Sequence, residues 1–264
     1  MEQTLGDRMK EYEYVTRNKL TNRVPVIIRL DGKTFHNFTK GFNKPVDDIM
    51  ARTMKRTTEA LCNNVQGVVM GYTQSDEISL VLMNTSNKAS ELWFNNNISK
   101  IISVSASMCT LYFNKFFEEE VKNIDYSDPY YSKINTAIFD SRAFSIPEND
   151  IVNYFIWRQR DCQKNAISST ARTLFSHKSL YGLSGSKMIE KMKEEKDFIY
   201  EDKIPLSFRN GVTFIKEETK RVGEDNFGKE CVSYSKRWVA IDGTKNFEQE
   251  PEFYLNYLED VKKW

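Results

Sequence analysis

Apolar positions along the chain change their spacing several times, and each change marks an element. In "VPVIIRL", Val24 to Leu30, β-branched residues follow one another at the length of a buried strand. Pro45 then introduces a helix from Val46 to Asn63, in which Ile49, Met50, Met54, Leu61 and Val65 keep a roughly helical period. "GVVMGYT" and "EISLVLM" are β-prone again, and the turn Gln74-Ser75-Asp76 between them predicts an antiparallel hairpin. A long helix from Leu92 to Val121 sets Ile98, Ile101, Ile102, Ser105, Met108, Leu111 and Tyr112 near one face. "TAIFDSRAFSI" follows as another strand, and a short charged amphipathic helix, "LGDRMKEYEYVTRN", precedes the whole series.

The order strand, helix, strand, strand, helix, strand is the split βαβ arrangement, an α+β fold with a ferredoxin-like antiparallel sheet and helices on one face. From Pro147 the pattern is mostly helical to Lys196. Two strand-like pieces follow, "SFRNGVTFIK" and "CVSYSKRWVAI", and then a final helix, "EPEFYLNYLEDVKKW". The expected organisation is a core over 1–146 and a mainly helical appended region over 147–264.

Composition narrows the partners. The 264 residues suffice for one large domain or two small ones, and 40% hydrophobic with 13% aromatic content argues for a packed chain rather than a disordered one. A net charge of +1 provides no global basic field, so a nucleic acid has to be met by a local surface. The candidate surface is Arg158, Arg160, Lys164 and Arg172, interleaved with Tyr154, Phe155 and Trp157. The plainer alternative is a solvated helix face over an aromatic core. Four cysteines, at 62, 109, 162 and 231, form no CxxC pair and are expected as reduced thiols. The first thirty residues carry charges throughout, and no apolar run approaches the ~20 residues of a membrane span. A soluble cytoplasmic protein with no membrane association is expected.

The candidate chemistry is acidic. Asp31 ends the first strand, followed by Gly32, and Asp76 and Glu77 sit at the hairpin turn. A split βαβ sheet makes these places neighbours, and carboxylates held that close repel unless a cation lies between them. Mg²⁺ takes one or two carboxylates together with carbonyl and phosphate oxygens, which suits phosphoryl or nucleotidyl transfer. The same residues also suit ordinary turns. Other chemistries fit poorly: His36 and His177 lie in no zinc-ligand or nucleophile-elbow pattern, and no Walker A loop is present. "GLSGSK" lacks the GxxxxGK[ST] spacing and suits a Ser-capped helix start.

"RLDGKTFHNFTKGFNKPVDD" and "GYTQSDEISLVL", followed by "FDSR" (Phe139 to Arg142) and "WRQRDC" (Trp157 to Cys162), resemble the motifs of the tRNA-His guanylyltransferase family, in family order over residues 24 to 175. The resemblance implies a polymerase-like palm that extends nucleic acid in the 3′-to-5′ direction. It implies that Asp31 and Asp76 bind two Mg²⁺ ions with the Gly32 carbonyl as a third ligand, and that Glu77 completes the acidic cluster. Asp31, Gly32, Lys33, Thr34, Phe35 and His36, with Ser75, would hold the incoming nucleotide. Lys33 and the backbone amides would face its phosphates, and Phe35 and His36 its base or sugar. Arg29, Lys44 and Lys100 would neutralise triphosphate charge.

By the same likeness the substrates are ATP, GTP or another nucleoside triphosphate, and the 5′ end of a tRNA, and the assembly is a homotetramer. Where eukaryotic members carry a His-Ile-Asn-Asn run, this chain has "QKNAISS", Gln163 to Ser169, and keeps only Asn165. That departure favours templated 5′-end repair over untemplated guanine addition to histidine tRNA. Asn95, Asn96 and Asn97 also stand where family members often carry arginines. A palm-type nucleotidyl cyclase is disfavoured by the lack of a GGDEF-type hairpin, and a non-enzymatic RNA-binding module by the retained acids.

Overall fold

The computed structural model describes residues 3–83, 91–122, 124, 129–224 and 230–260. Its first half contains α1 (Leu5–Val15), β1 (Val26–Gly32), the single turn α2 (Phe35–Phe38), α3 (Asp48–Asn64), β2 (Val68–Gln74), β3 (Glu77–Leu82), α4 (Ile98–Val121) and β4 (Phe139–Ser145). There follow α5 (Ile151–Leu174), three short helices α6 (His177–Leu180), α7 (Gly185–Lys196) and α8 (Tyr200–Lys203), then α9 (Leu206–Asn210). The hairpin of β5 (Val212–Glu224) and β6 (Glu230–Asp242) leads into α10 (Pro251–Asp260).

The strands form one antiparallel sheet in the order β4-β1-β3-β2-β5-β6. Its first four strands keep the ferredoxin-like order expected from the sequence. The apolar density of β1 has a direct cause: both faces are covered. Val26, Ile28 and Leu30 join Ile78, Leu80 and Leu82 in a core beneath α3 and α4. Ile27 points the other way, with Met70, Tyr72 and Val81, against Ile151, Tyr154 and Phe155 of α5 and Tyr254 and Leu258 of α10.

Helices therefore lie on both faces. The two palm helices take one, as expected, and the second half of the chain covers the other. β5 pairs with β2 through Gly71↔Phe214, Tyr72↔Thr213 and Thr73↔Val212, so the strand-like pieces after residue 147 extend the same sheet. The division expected at 146/147 marks no break in that sheet.

Local chemistry explains where the helices begin. Asp47 accepts the Met50 amide at 2.8 Å and starts α3 two residues later than the pattern predicts. The long helix expected from Leu92 begins only at Ile98. Asn95 and Asn96 adopt positive φ, which asparagine tolerates better than most residues, and Asn97 caps the helix by accepting the Lys100 amide at 3.2 Å. The asparagine run is thus a helix stop and cap.

The core under α4 is aromatic. Phe113, fully buried, has ring neighbours Phe35, Phe38, Phe117 and Phe139 at centroid distances of 5.2–5.8 Å. Phe113→Ala is expected to cost about 3–5 kcal/mol, seen as a lower urea midpoint at unchanged m-value. Among the described residues, no helix is long and apolar enough to cross a membrane.

Candidate active site

β1 runs past its apolar stretch and carries Asp31 and Gly32 into the sheet. There Asp31 lies opposite Glu77 of β3 on one side and Asp140 of β4 on the other. Alternation puts Arg29 and Asp31 on the face that α5 covers. The hairpin turn reaches the same place, because the Gly32 amide donates to the Asp76 carbonyl at 3.1 Å. Ser75 takes φ +51 at this turn, and its hydroxyl donates to Asp76 Oδ1 at 3.0 Å, fixing the carboxylate. Acids 45 positions apart in sequence thereby meet at one end of the sheet.

A cleft of about 400 Å³ opens over them. Its lining includes Arg29, Asp31, Ser75 and Asp76 from the strands and turn, with Trp157 and Asn165 from α5. Burial raises the pKa of Asp31, Asp140 pushes it further up, and Arg29 and Arg158 oppose. Burial also raises Asp76; the Ser75 hydroxyl offsets part of this and the Asp31 charge adds to it. Each acid is therefore strained as an anion, and a cation between them would relieve both.

The donor set suits a hard ion. Two carboxylates face a polar cleft beside the Gly32 backbone, leaving positions for phosphate oxygens and water, as Mg²⁺ prefers. Among the described residues no group of three or more His, Cys, Asp or Glu side chains forms an all-protein cage, which separates this site from a structural zinc centre.

Glu77 has a different employment. It is buried, and Arg158 Nε donates to its Oε1 at 2.7 Å, while Nη2 of the same guanidinium reaches Asp161 at 2.9 Å. Burial alone would lower Arg158, but the surrounding groups, Glu77 foremost and then Asp161 and Tyr154, together outweigh it and hold the guanidinium above the ordinary arginine range. Glu77 is an anchor for α5 at the site, and its carboxylate is engaged by a protein cation. Arg158 for the same reason is not a free RNA contact, and Arg160 pairs with Glu248 at 2.7 Å. Lys164 and Arg172 remain exposed.

The segment after Gly32 divides. Phe35 is a core residue: its ring is buried and stacks at 4.8 Å on Phe38, so it does not face a base or sugar. A Cβ on Gly32 would come within 2.2 Å of that ring. Glycine is required here because the aromatic core and the acidic strand end share one backbone position. Gly32→Ala is expected to displace Asp31, lower stability by about 1–3 kcal/mol and reduce turnover well beyond that loss, measured by melting and by product formation. Lys33, whose amide donates to the Ile138 carbonyl at 2.8 Å, is exposed, as are Thr34 and His36. Lys44 and Lys100 are exposed and do not line the cleft.

Sequence reasoning gave no site role to Asp140, Asp161 or Gln74, and it placed Trp157 only on a candidate RNA surface, whereas the Arg158 and Arg29 guanidiniums sit over its indole at 4.3 and 5.7 Å. A signal was available. Arg158, Asp161 and Asn165 follow helical spacing, which turns all three toward the same strand ends.

Paired acids at the end of a ferredoxin-like sheet, open to a polar cleft, place the chain among the palm-type nucleotidyltransferases. The model of the tRNAHis guanylyltransferase (Thg1) family matches residues 6–147. A protein of Acanthamoeba polyphaga mimivirus described as uncharacterized is 33% identical over 230 residues, covering 82% of this chain and 78% of its own. Among solved structures, a bacterial tRNA(His) guanylyltransferase-like protein in complex with ATP superposes with a TM-score of 0.81 at 37% identity, over 96% of this chain and 98% of that one. A structure of such a protein in complex with GTP gives 0.75 at 35% identity, over the same shares. The chain belongs to the tRNAHis guanylyltransferase family, which is a family of nucleotidyltransferases.

Proposed function

We propose that the protein adds nucleotides to the 5′ end of a tRNA in the 3′-to-5′ direction, rebuilding truncated ends against the opposite strand. The observation that carries this is the convergence of Asp31 and Asp76 at one cleft, each disfavoured as an anion where no cation is bound. ATP and GTP, bound by the similar bacterial proteins, enter as substrates. The tRNA follows from the family, and the same reading includes a homotetramer in the cytoplasm.

Asp31 and Asp76, with the Gly32 carbonyl, would hold two Mg²⁺ ions. Bound there, Mg²⁺ would lower the pKa of the attacking hydroxyl and neutralise charge on the leaving phosphates. The remaining work falls to the chain. Ser75 keeps Asp76 oriented, and the Glu77–Arg158 pair fixes α5 against the sheet so that Trp157 and Asn165 stay over the acids. Arg29, whose Nε has no hydrogen-bond partner, offers positive charge in the cleft.

The reaction proceeds in balanced steps. A 5′-phosphate oxygen of the RNA attacks the α-phosphorus of ATP, and the bond to pyrophosphate breaks. The 3′-hydroxyl of an incoming nucleotide then attacks the RNA's own 5′-phosphorus. A phosphodiester forms, AMP departs, and the hydroxyl proton passes to solvent. Pyrophosphate is afterwards removed from the new end. Positioning and charge neutralisation supply most of the rate, and no histidine base is required.

The test combines the protein, Mg²⁺, labelled ATP and a 5′-monophosphorylated tRNA lacking its first nucleotide. The proposal expects an adenylylated RNA followed by a product one nucleotide longer, with the added base following the opposing base. ATP consumption without RNA, or RNA bound and recovered unchanged, would overturn it.

A further inference from the structure

The acidic end of the sheet carries a row of polar side chains across four strands. Asp140 of β4 lies opposite Asp31 of β1, Asp31 opposite Glu77 of β3, and Glu77 opposite Gln74 of β2. Asp31 and the Glu77–Arg158 pair already have roles in the site. Gln74 has none. It closes β2 two residues beyond Tyr72, so alternation turns its side chain toward α5, where Tyr72 packs on Phe155. It lines the cleft and is only 6% exposed. Its Oε1 is nevertheless buried, and no N–H or O–H of the described residues donates to it. A buried carbonyl without a donor destabilises the fold, and beside a cleft it points to a ligand that supplies one.

The surroundings decide which ligand group can meet it. A phosphate oxygen brings only acceptors and would set lone pair against lone pair, next to the Glu77 carboxylate. A metal ion is drawn to the paired aspartates instead. Gln74 stands two strands from Asp31, roughly 10 Å at ~4.8 Å per strand, and the Arg158 guanidinium is bonded to the strand between. What remains is a neutral O–H or N–H donor. A donor on a base edge would tie the contact to one kind of base, whereas templated addition has to accept all four. A sugar hydroxyl is common to every nucleotide.

We propose that Gln74 reads the sugar of the incoming nucleotide: its Oε1 accepts a hydrogen bond from the ribose 2′-hydroxyl, so that ribonucleotides are selected over 2′-deoxyribonucleotides. Gln74 directly precedes the Ser75–Asp76 turn. A sugar whose 3′-hydroxyl is brought to Asp76 for attack therefore presents its neighbouring hydroxyl beside the Gln74 amide. The inference rests on the nucleotidyl-transfer reading and adds a substrate class to it. Sugar selection leaves the choice of base to pairing, because the contact is the same for all four.

The test starts from RNA that already carries a 5′-adenylyl group, which removes the ATP step and leaves only the added nucleotide to be read. GTP and 2′-deoxy-GTP are compared by kcat/KM for extension opposite a templating cytosine. Wild-type protein is expected to favour GTP on the order of tenfold, and Q74L and Q74A each to lose most of that preference. Q74L is also expected to melt no lower than the parent, because it removes a carbonyl that has no donor. Equal use of both nucleotides by the wild type would overturn the inference and leave the proposed function intact. So would variants that slow both nucleotides alike and keep the preference, the result of a packing role. Failure of the wild type to extend with either nucleotide would overturn the function and this inference together.

Discussion

Asp76→Asn is expected to lower turnover on the order of 10³-fold or more while the protein melts no lower than the parent. Both halves come from one cause. Asp76 is half-buried beside Asp31, and its pKa is raised by desolvation and by that neighbour. A carboxylate whose folded pKa lies above its unfolded value binds more protons when folded. The resulting penalty is fully present above the folded pKa and vanishes as pH falls below the unfolded one. At neutral pH without divalent cations, the amide removes that penalty, so the melting temperature is expected to stay level or rise. At acidic pH, where the parent's acids are protonated, the difference should shrink. Differential scanning fluorimetry across pH, run beside the RNA extension assay, checks both. Normal turnover in this variant would remove Asp76 from the chemistry.

Arg158→Ala is expected to lose stability and turnover together. It leaves Glu77 buried without its partner, and breaking a buried pair from one side costs about 3–5 kcal/mol. For a chain of this size that is a fall of about 10 °C in melting temperature. The double variant E77Q/R158M removes both charges and should recover much of the loss, since replacing both members of a buried pair is often nearly neutral. Activity should not recover with it. Trp157 would lose the guanidinium now 4.3 Å over its ring, and α5 its tie to the strand that begins beside Asp76. A double variant as unstable as Arg158→Ala would contradict the role given to Glu77.

Glu77 shows where sequence reasoning ends. The resemblance implied that it completes the acidic cluster, and the structure adds a partner on another element, since adjacent residues of a strand and its turn need not face the same group. Its buried cation comes from a helix 81 positions later, and no local pattern announces that. Phe35 failed similarly. Its place in the DGxxFHxF run implied a ligand contact, whereas its ring fills the core beneath Gly32. By contrast, the meeting of Asp31, Gly32 and Asp76 at one end of the sheet was legible because the order of elements alone brings the ends of β1 and the hairpin together. The four-strand order was legible for the same reason. The joining of β5 to β2 was not: only three residue pairs make the junction, and Tyr72 OH donating to the Asn210 carbonyl is a long-range tie. The start of α4 was missed because periodicity ignores caps, and the three asparagines before it are turn and cap chemistry.

The central claim is that Asp31 and Asp76 jointly hold divalent cations. It is tested most directly by a crystal grown with Mn²⁺ and a non-hydrolysable nucleoside triphosphate, read by anomalous scattering. The account predicts Mn²⁺ coordinated by oxygens of both carboxylates at about 2.0–2.2 Å, with the triphosphate completing the shell. Mn²⁺ bound by the phosphates alone, with neither aspartate among its ligands, would contradict it.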